Sequence, residues 1–246
     1  MKSFYIKEFD YSFVLLNKSG SLLLLNTFYD FCYYKGYTIT KNIKYGTKTF
    51  LFVRNPIERL KTSFTWFLEH EILCKKIFDE YSPEEMYTMK NFIKYLDSQS
   101  EIYKLNNTHF LPQKYQLLGR PATTPFLINE SMVIEQYPNH VFTHIEDFGL
   151  KKEIESKTSE MKLGIDHLGN DDIIESDNVF LNNLMYKDFK LFLSLYQFNK
   201  ICLDSHHHSN KILDITEKLE SKIYFLLQDE YDLYGYEIKS NFKRLI

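Results

Sequence analysis

The sequence predicts an α/β layered fold with a central, mainly parallel sheet flanked by helices, and two stretches carry that expectation. Residues 12–16 (SFVLL) form a short β-prone apolar run that breaks at Asn17, Lys18, Ser19 and Gly20, after which residues 21–34 suit a helix. The same plan recurs at residues 49–53 (TFLFV), which end at Arg54, Asn55 and Pro56 and lead into Ile57, Leu60, Phe64 and Phe67 at helical spacing. Strands interspersed with helices build a layered sheet. With no internal repeat and no long linker, residues 1–246 are expected to form a single domain.

Each element has a local cause. Pro56 suits a first helical turn, where its missing N–H would be unpaired in any case. Ser82 and Glu85 stand at the two positions of a reciprocal capping box and predict a helix over 83–96. Residues 98–120 are polar and irregular. Residues 141–144 then predict another short strand, followed by Glu146, Asp147 and a helix-like run. The stretch 151–178 is charged and weakly periodic, as expected of an exposed helix followed by a flexible loop. Apolar residues at helical spacing return over 179–196 and 212–227, and an aromatic cluster follows at 231–236.

Composition excludes several classes. At 44% hydrophobic and 26% charged residues the chain belongs with ordinary globular proteins rather than disordered ones. The 19 Tyr and 21 Phe, with only 8 Gly and 6 Pro, match the bias of an AT-rich coding genome and do not define a stacking surface for carbohydrate. A formal net charge of −3, from 30 basic and 33 acidic residues, is too balanced for a nucleic-acid or anionic-membrane footprint, so any anion site must be local. Three separated cysteines, Cys32, Cys74 and Cys202, argue against a disulfide framework and for a reducing compartment, with the cytoplasm as the expected location. The N-terminus lacks the layout of a signal peptide, and the longest apolar runs fall far short of the roughly 20 residues that span a bilayer. His206, His207 and His208 are adjacent, so their side chains diverge; a solvated loop is expected there rather than a metal site.

The chemistry concentrates on the two loops. A loop that leaves a buried strand and enters a helix offers backbone N–H groups and the positive helix end to an anion. In the first loop Gly20 permits close backbone approach, Ser19 and Ser21 supply hydroxyls, and Lys18 supplies a mobile positive charge. The ordinary nucleotide-triphosphate loop places Gly-Lys-Ser or Gly-Lys-Thr in that order, whereas here the lysine precedes the glycine, which disfavours a standard ATP or GTP site. In the second loop Arg54 brings a planar donor fork, and a hydroxyl two helical turns later can converge with it on one phosphate. The competing role for Arg54 is a strand-end cap paired with Glu58, and Arg59 reads as structural.

The segment FLFVRNPIERLKTSF, residues 50–64, resembles the 3′-phosphate-binding segment of sulfotransferases that use 3′-phosphoadenosine 5′-phosphosulfate (PAPS). His109-Phe110-Leu111-Pro112-Gln113 resembles an H-W-x-P-Q element of the membrane-associated carbohydrate branch of that family. VFTHIEDFGLKKEI (141–154) and IYFLLQDEYDLYGYE (223–237) resemble later segments of the same branch, which includes the uronyl 2-O-sulfotransferases. The resemblance implies a P-loop-containing sulfotransferase-like fold, PAPS as co-substrate, and a hydroxyl-bearing acceptor, a glycan by analogy; no metal is expected to be required, because side chains and the helix terminus supply the positive charge. The resemblance also implies that Lys18 stabilises the bridging oxygen, that the backbone of Ser19, Gly20 and Ser21 binds the 5′-phosphate, with Lys18 and Leu22 in the same cofactor-binding loop, and that Arg54 and Thr62, with Ser63 beside it, bind the 3′-phosphate. Leu22 departs from the pattern, because the family carries a hydroxyl there.

Sulfuryl transfer, like phosphoryl transfer, needs in-line approach and a stabilised leaving group more than covalent help from the protein. It also needs a base for the acceptor hydroxyl. His109 is the first candidate because imidazole titrates near neutrality, with His70, Glu69, His144 and Glu146 as alternatives. Two other functions stay open: a kinase-like nucleotide phosphotransferase, and a catalytically silent nucleotide- or glycan-binding protein.

Overall fold

The computed structural model describes residues 1–69, 89–90, 112–117, 130–148, 180–181, 184, 186–204 and 216–237. Most of the helix expected over 83–96, most of the stretch 98–120 and the segment 151–178 lie outside the described residues. So do His70, His109 and His206 to His208.

Among the described residues five strands form one sheet: β1 (Lys2–Ile6), β2 (Tyr11–Leu15), β3 (Ile39–Lys41), β4 (Lys48–Val53) and β5 (His140–His144), in the spatial order β3-β1-β2-β4-β5. The expectation of a mainly parallel sheet is corrected: the sheet is mixed. β2 pairs with β4 and β4 with β5 in parallel, whereas β1 runs antiparallel to both β2 and β3. The cause is the N-terminal hairpin. The few residues between Ile6 and Tyr11 can join only antiparallel strands, and Asp10 takes a positive φ of 56° in the turn while its carboxylate accepts from Tyr5 Oη at 2.7 Å and Lys44 Nζ at 2.9 Å.

Helices cover both faces. They are α1 (Ser21–Lys35), α2 (Pro56–Glu69), α3 (Gln113–Leu117), α4 (Glu130–Gln136), α5 (Tyr186–Asp204) and α6 (Glu217–Tyr234), with a 3-10 turn at Ile145–Phe148. β2 and β4 send alternate residues to opposite faces, as the period of a strand requires. Phe13, Leu15, Phe50 and Phe52 pack with Leu24, Phe28 and Phe31 of α1 and with Phe189 and Phe192 of α5. Val14, Leu16, Leu51 and Val53 pack with Leu117, Val133, Tyr137 and Tyr234 on the other side. Burial on both faces explains why these strands read as continuous apolar runs.

The first core is aromatic. Phe13 stacks on Phe4 and Phe50 with ring centroids 5.1 and 5.7 Å apart and meets the edge of Phe180 at 5.4 Å. Truncating a ring so enclosed costs about 3–5 kcal/mol. This packing anchors β2 and β4 side by side, and their carboxyl ends carry the two loops. α1 ends at Gly36, whose φ of 67° lets its N–H reach back to Cys32 and Tyr33 carbonyls.

Candidate functional site

The loops that follow β2 and β4 lie side by side at the carboxyl ends of adjacent parallel strands. From β2 the chain passes through α1 to β3 on one side of the sheet; from β4 it proceeds through α2 toward β5 on the other. A crevice where the connections diverge in this way is the place where open α/β sheets bind ligands.

The first loop uses two left-handed residues, Lys18 at φ 64° and Gly20 at φ 65°. Gly20 occupies the N-cap of α1 without any side-chain cap, so the first N–H groups of α1 project from its N-terminus. Ser21 is half-buried and Leu22 is exposed at that end. Ser19 is turned inward: it is fully buried, its N–H donates to the Leu16 carbonyl at 3.2 Å, and its hydroxyl donates to Gln113 Oε1 at 2.8 Å. Lys18 is half-buried, with Nζ 4.9 Å from the ring centre of Trp66 on α2.

The second loop brings Arg54 against the first. Arg54 Nη1 donates to Thr62 Oγ1 at 2.8 Å and to the Lys18 carbonyl at 3.3 Å. The Thr62 hydroxyl in turn donates to the Glu58 carbonyl at 3.0 Å. Glu58, the other candidate partner for Arg54, pairs instead with Lys61 at 2.6 Å. Ser63 points elsewhere: it is buried and its hydroxyl donates to the Arg59 carbonyl one turn back. Asn55 caps α2, its Oδ1 accepting from the N–H groups of Ile57 at 3.1 Å and Glu58 at 3.3 Å.

Residues distant in sequence converge on these loops. Gln113 Oε1 also accepts from Arg54 N at 2.9 Å, while Gln113 Nε2 donates to the Arg54 carbonyl at 2.8 Å. Gln116 Oε1 accepts the Asn17 N–H at 2.9 Å. The Asn55 N–H donates to Glu146 Oε1 at 2.8 Å, and Tyr236 donates its hydroxyl to Glu146 Oε2 at 2.9 Å. The Tyr231 hydroxyl donates to Asn55 Oδ1 at 3.2 Å. The segments at 141–154 and 223–237 thus meet on one loop, at Asn55.

Of the candidate bases, His144 bonds through Nε2 to the Tyr234 carbonyl at 2.7 Å and stacks on Tyr236 with ring centres 4.2 Å apart. Both Glu146 oxygens already accept hydrogen bonds. His109, His70 and the Glu69 side chain lie outside the described residues.

Beneath the loops lies a buried charged group. Arg59 is 3% exposed and donates from Nε to the Asn17 carbonyl at 3.1 Å, in keeping with a structural role. Glu230, 1% exposed, accepts from Lys114 N at 2.9 Å and caps the short helix α3. Burial raises the Glu230 carboxyl above its ordinary pKa and lowers that of Arg59, and each acts against that shift in the other. Lys114, also lowered by burial, forms an ion pair with Asp229.

Neither the place of Trp66 beside Lys18 nor the bridging role of Gln113 was evident in the sequence, although Gln113 closes the segment 109–113. An amide beside Pro112 at the start of a helix, next to the buried Tyr115 and Leu117, is the signal that could have pointed to an inward role. Among the described residues, no group of three or more His, Cys, Asp or Glu side chains is placed to hold a metal ion. No helix among them is long and apolar enough to cross a membrane.

Compared with known proteins, the chain matches no family model, no curated protein and no solved structure.

Proposed function

We propose that this protein is a PAPS-dependent sulfotransferase with a P-loop-containing sulfotransferase-like fold, acting on an acceptor hydroxyl and, by the segments it resembles, on a carbohydrate. The observation that carries the reading is the junction of Arg54, Thr62 and the Lys18 carbonyl. It sets a cationic fork and a hydroxyl beside a loop that opens an uncapped helix, and a donor with phosphates at both the 3′ and 5′ positions calls for two such anion sites.

In this reading Arg54 binds the 3′-phosphate, and the Thr62 hydroxyl joins it by turning its one proton from the Glu58 carbonyl to the phosphate. The 5′-phosphate falls to the N–H groups of Gly20, Ser21 and Leu22 with the Ser21 hydroxyl, because both donors of Ser19 are already engaged. Lys18 is the mobile charge that stabilises the bridging oxygen as the bond from sulfur to that oxygen breaks. The acceptor oxygen forms the new bond to sulfur, its proton passes to a base, and 3′-phosphoadenosine 5′-phosphate leaves. His109 is the proposed base. The reaction would run in a single domain in the cytoplasm and requires no metal.

Calorimetry with 3′-phosphoadenosine 5′-phosphate and with ATP tests the site. Preference for the bisphosphate supports the reading, and preference for ATP replaces it with a phosphotransferase. Transfer of labelled sulfate from PAPS to a panel of glycans and small alcohols then tests the reaction. Tight bisphosphate binding without transfer to any acceptor would make the protein a silent binder, the outcome that the exposed Leu22 at the family's hydroxyl position favours.

A further inference from the structure

Gln113 is fully buried and spends its amide on both loops at once. Its Oε1 fills two acceptor positions, one with the Ser19 hydroxyl of the first loop at 2.8 Å and one with the Arg54 N–H of the second at 2.9 Å. Its Nε2 returns a hydrogen bond to the Arg54 carbonyl at 2.8 Å. One turn on, Gln116 holds the Asn17 N–H at 2.9 Å. The short helix carrying both glutamines is itself fixed by Glu230 at the Lys114 N–H.

We infer that Gln113 is a positioning residue that sets the separation of the two anion pockets, and thereby the preference for a nucleoside 3′,5′-bisphosphate over a nucleoside 5′-monophosphate. The inference rests on the proposed reading of the two loops. Its chemistry is specific to an amide. A carboxylate would keep the acceptors but present an oxygen to the Arg54 carbonyl, and an alkyl group would leave the Ser19 hydroxyl and both backbone groups of Arg54 without this partner. A ligand with two phosphates gains from the second only when the pockets stand at the matching distance, because the second contact is then intramolecular. A side chain bonded to both loops fixes that distance.

The test is calorimetry on the full chain with adenosine 3′,5′-bisphosphate and with adenosine 5′-monophosphate, alongside thermal midpoints. The wild type is compared with Gln113→Leu, Gln113→Glu and the milder Ser19→Ala, which removes one hydroxyl and keeps the rest of the clamp. The expected result is a fall of about tenfold in the ratio of the two affinities for either Gln113 variant, the loss that one buried group left unpaired brings. A smaller fall in the same direction is expected for Ser19→Ala. A merely structural glutamine would lower the thermal midpoint and leave the ratio unchanged, and that result would overturn the inference. If the Gln113 variants do not fold, an unchanged ratio in Ser19→Ala overturns it instead. A wild type with no preference for the bisphosphate fails differently, since it removes the reading of the loops themselves.

Discussion

Arg54 and Thr62, eight residues apart in sequence, are joined by a 2.8 Å hydrogen bond from Nη1 to Oγ1 at the mouth of the second loop. The guanidinium spends one nitrogen on this bond and on the Lys18 carbonyl, and its planar fork carries further donors for an anion. Arg54→Lys keeps the charge and loses the fork, so affinity for the bisphosphate should drop by about ten- to a hundredfold. Thr62→Val removes only the hydroxyl and should cost less. Affinity unchanged in Arg54→Lys would show that charge alone suffices.

Gly20 offers a second prediction, with an internal control. Its φ of 65° is nearly that of Gly36, at 67°, on the other end of α1. A Cβ on Gly20 would meet Ile145 Cδ1 at 3.5 Å, an ordinary contact, and one on Gly36 would meet nothing within 4 Å. Both alanine variants therefore carry the same backbone strain, about 1–2 kcal/mol, and little else. Thermal midpoints should fall alike in the two, whereas affinity for the bisphosphate should fall only in Gly20→Ala. Equal affinities would place the anion site away from the start of α1.

Lys18 rests with Nζ 4.9 Å from the centre of Trp66, the one tryptophan in the chain. A lysine that moves to a bridging oxygen must leave that ring, so bisphosphate or PAPS binding should change tryptophan fluorescence in the wild type and not in Lys18→Ala. Turnover in Lys18→Ala should fall by about a hundredfold or more, the usual loss when one stabilising donor is removed from a developing charge. Normal rates in this variant would refute the loop chemistry.

How far the sequence could be read depended on whether a residue's surroundings follow from its neighbours. β2, β4, α1 and α2 were legible because apolar runs buried on both faces end at Lys18–Gly20 and at Asn55-Pro56, where the backbone must change direction. β1 and β3 were not. In β1 the inward pair Phe4 and Ile6 stands among Lys2, Ser3 and Tyr5, and β3 is a short edge strand with two of its three residues exposed, so neither shows a continuous apolar run. Missing them made the sheet seem mainly parallel. The directions of the loop side chains were not readable. Ser19 and Ser63 were both candidate hydroxyls, the second as a fallback beside Thr62, yet both turn inward to partners within the protein. Gln113 shows the reverse, a residue whose role exists only once loops 59 and 94 residues away have folded against it.

Tyr234 yields a prediction about stability and pH. It is buried on the second face of the sheet, and its hydroxyl finds no hydrogen-bond partner among the described residues. Replacing it with Phe removes an unpaired buried hydroxyl and leaves the ring, so Tyr234→Phe should hold or raise stability at neutral pH by about 1 kcal/mol. Burial also raises the phenol well above its ordinary pKa, raises those of Tyr137 and Tyr231 as well, and pushes the Cys32 thiol up from 9.0 to about 12. Each of these groups keeps its proton to a higher pH in the folded chain than in the unfolded one. Their stabilising contribution is therefore complete below the unfolded values and is lost as pH rises toward the folded ones. Thermal midpoints should stay level as far as these groups govern them up to about pH 9, then fall, first through Cys32 and then through the phenols. In Tyr234→Phe the fall above about pH 10 should be shallower. A variant that is less stable at neutral pH and shows an unchanged alkaline slope would mean that the hydroxyl has a partner and that its pKa is the same in the folded and unfolded chain.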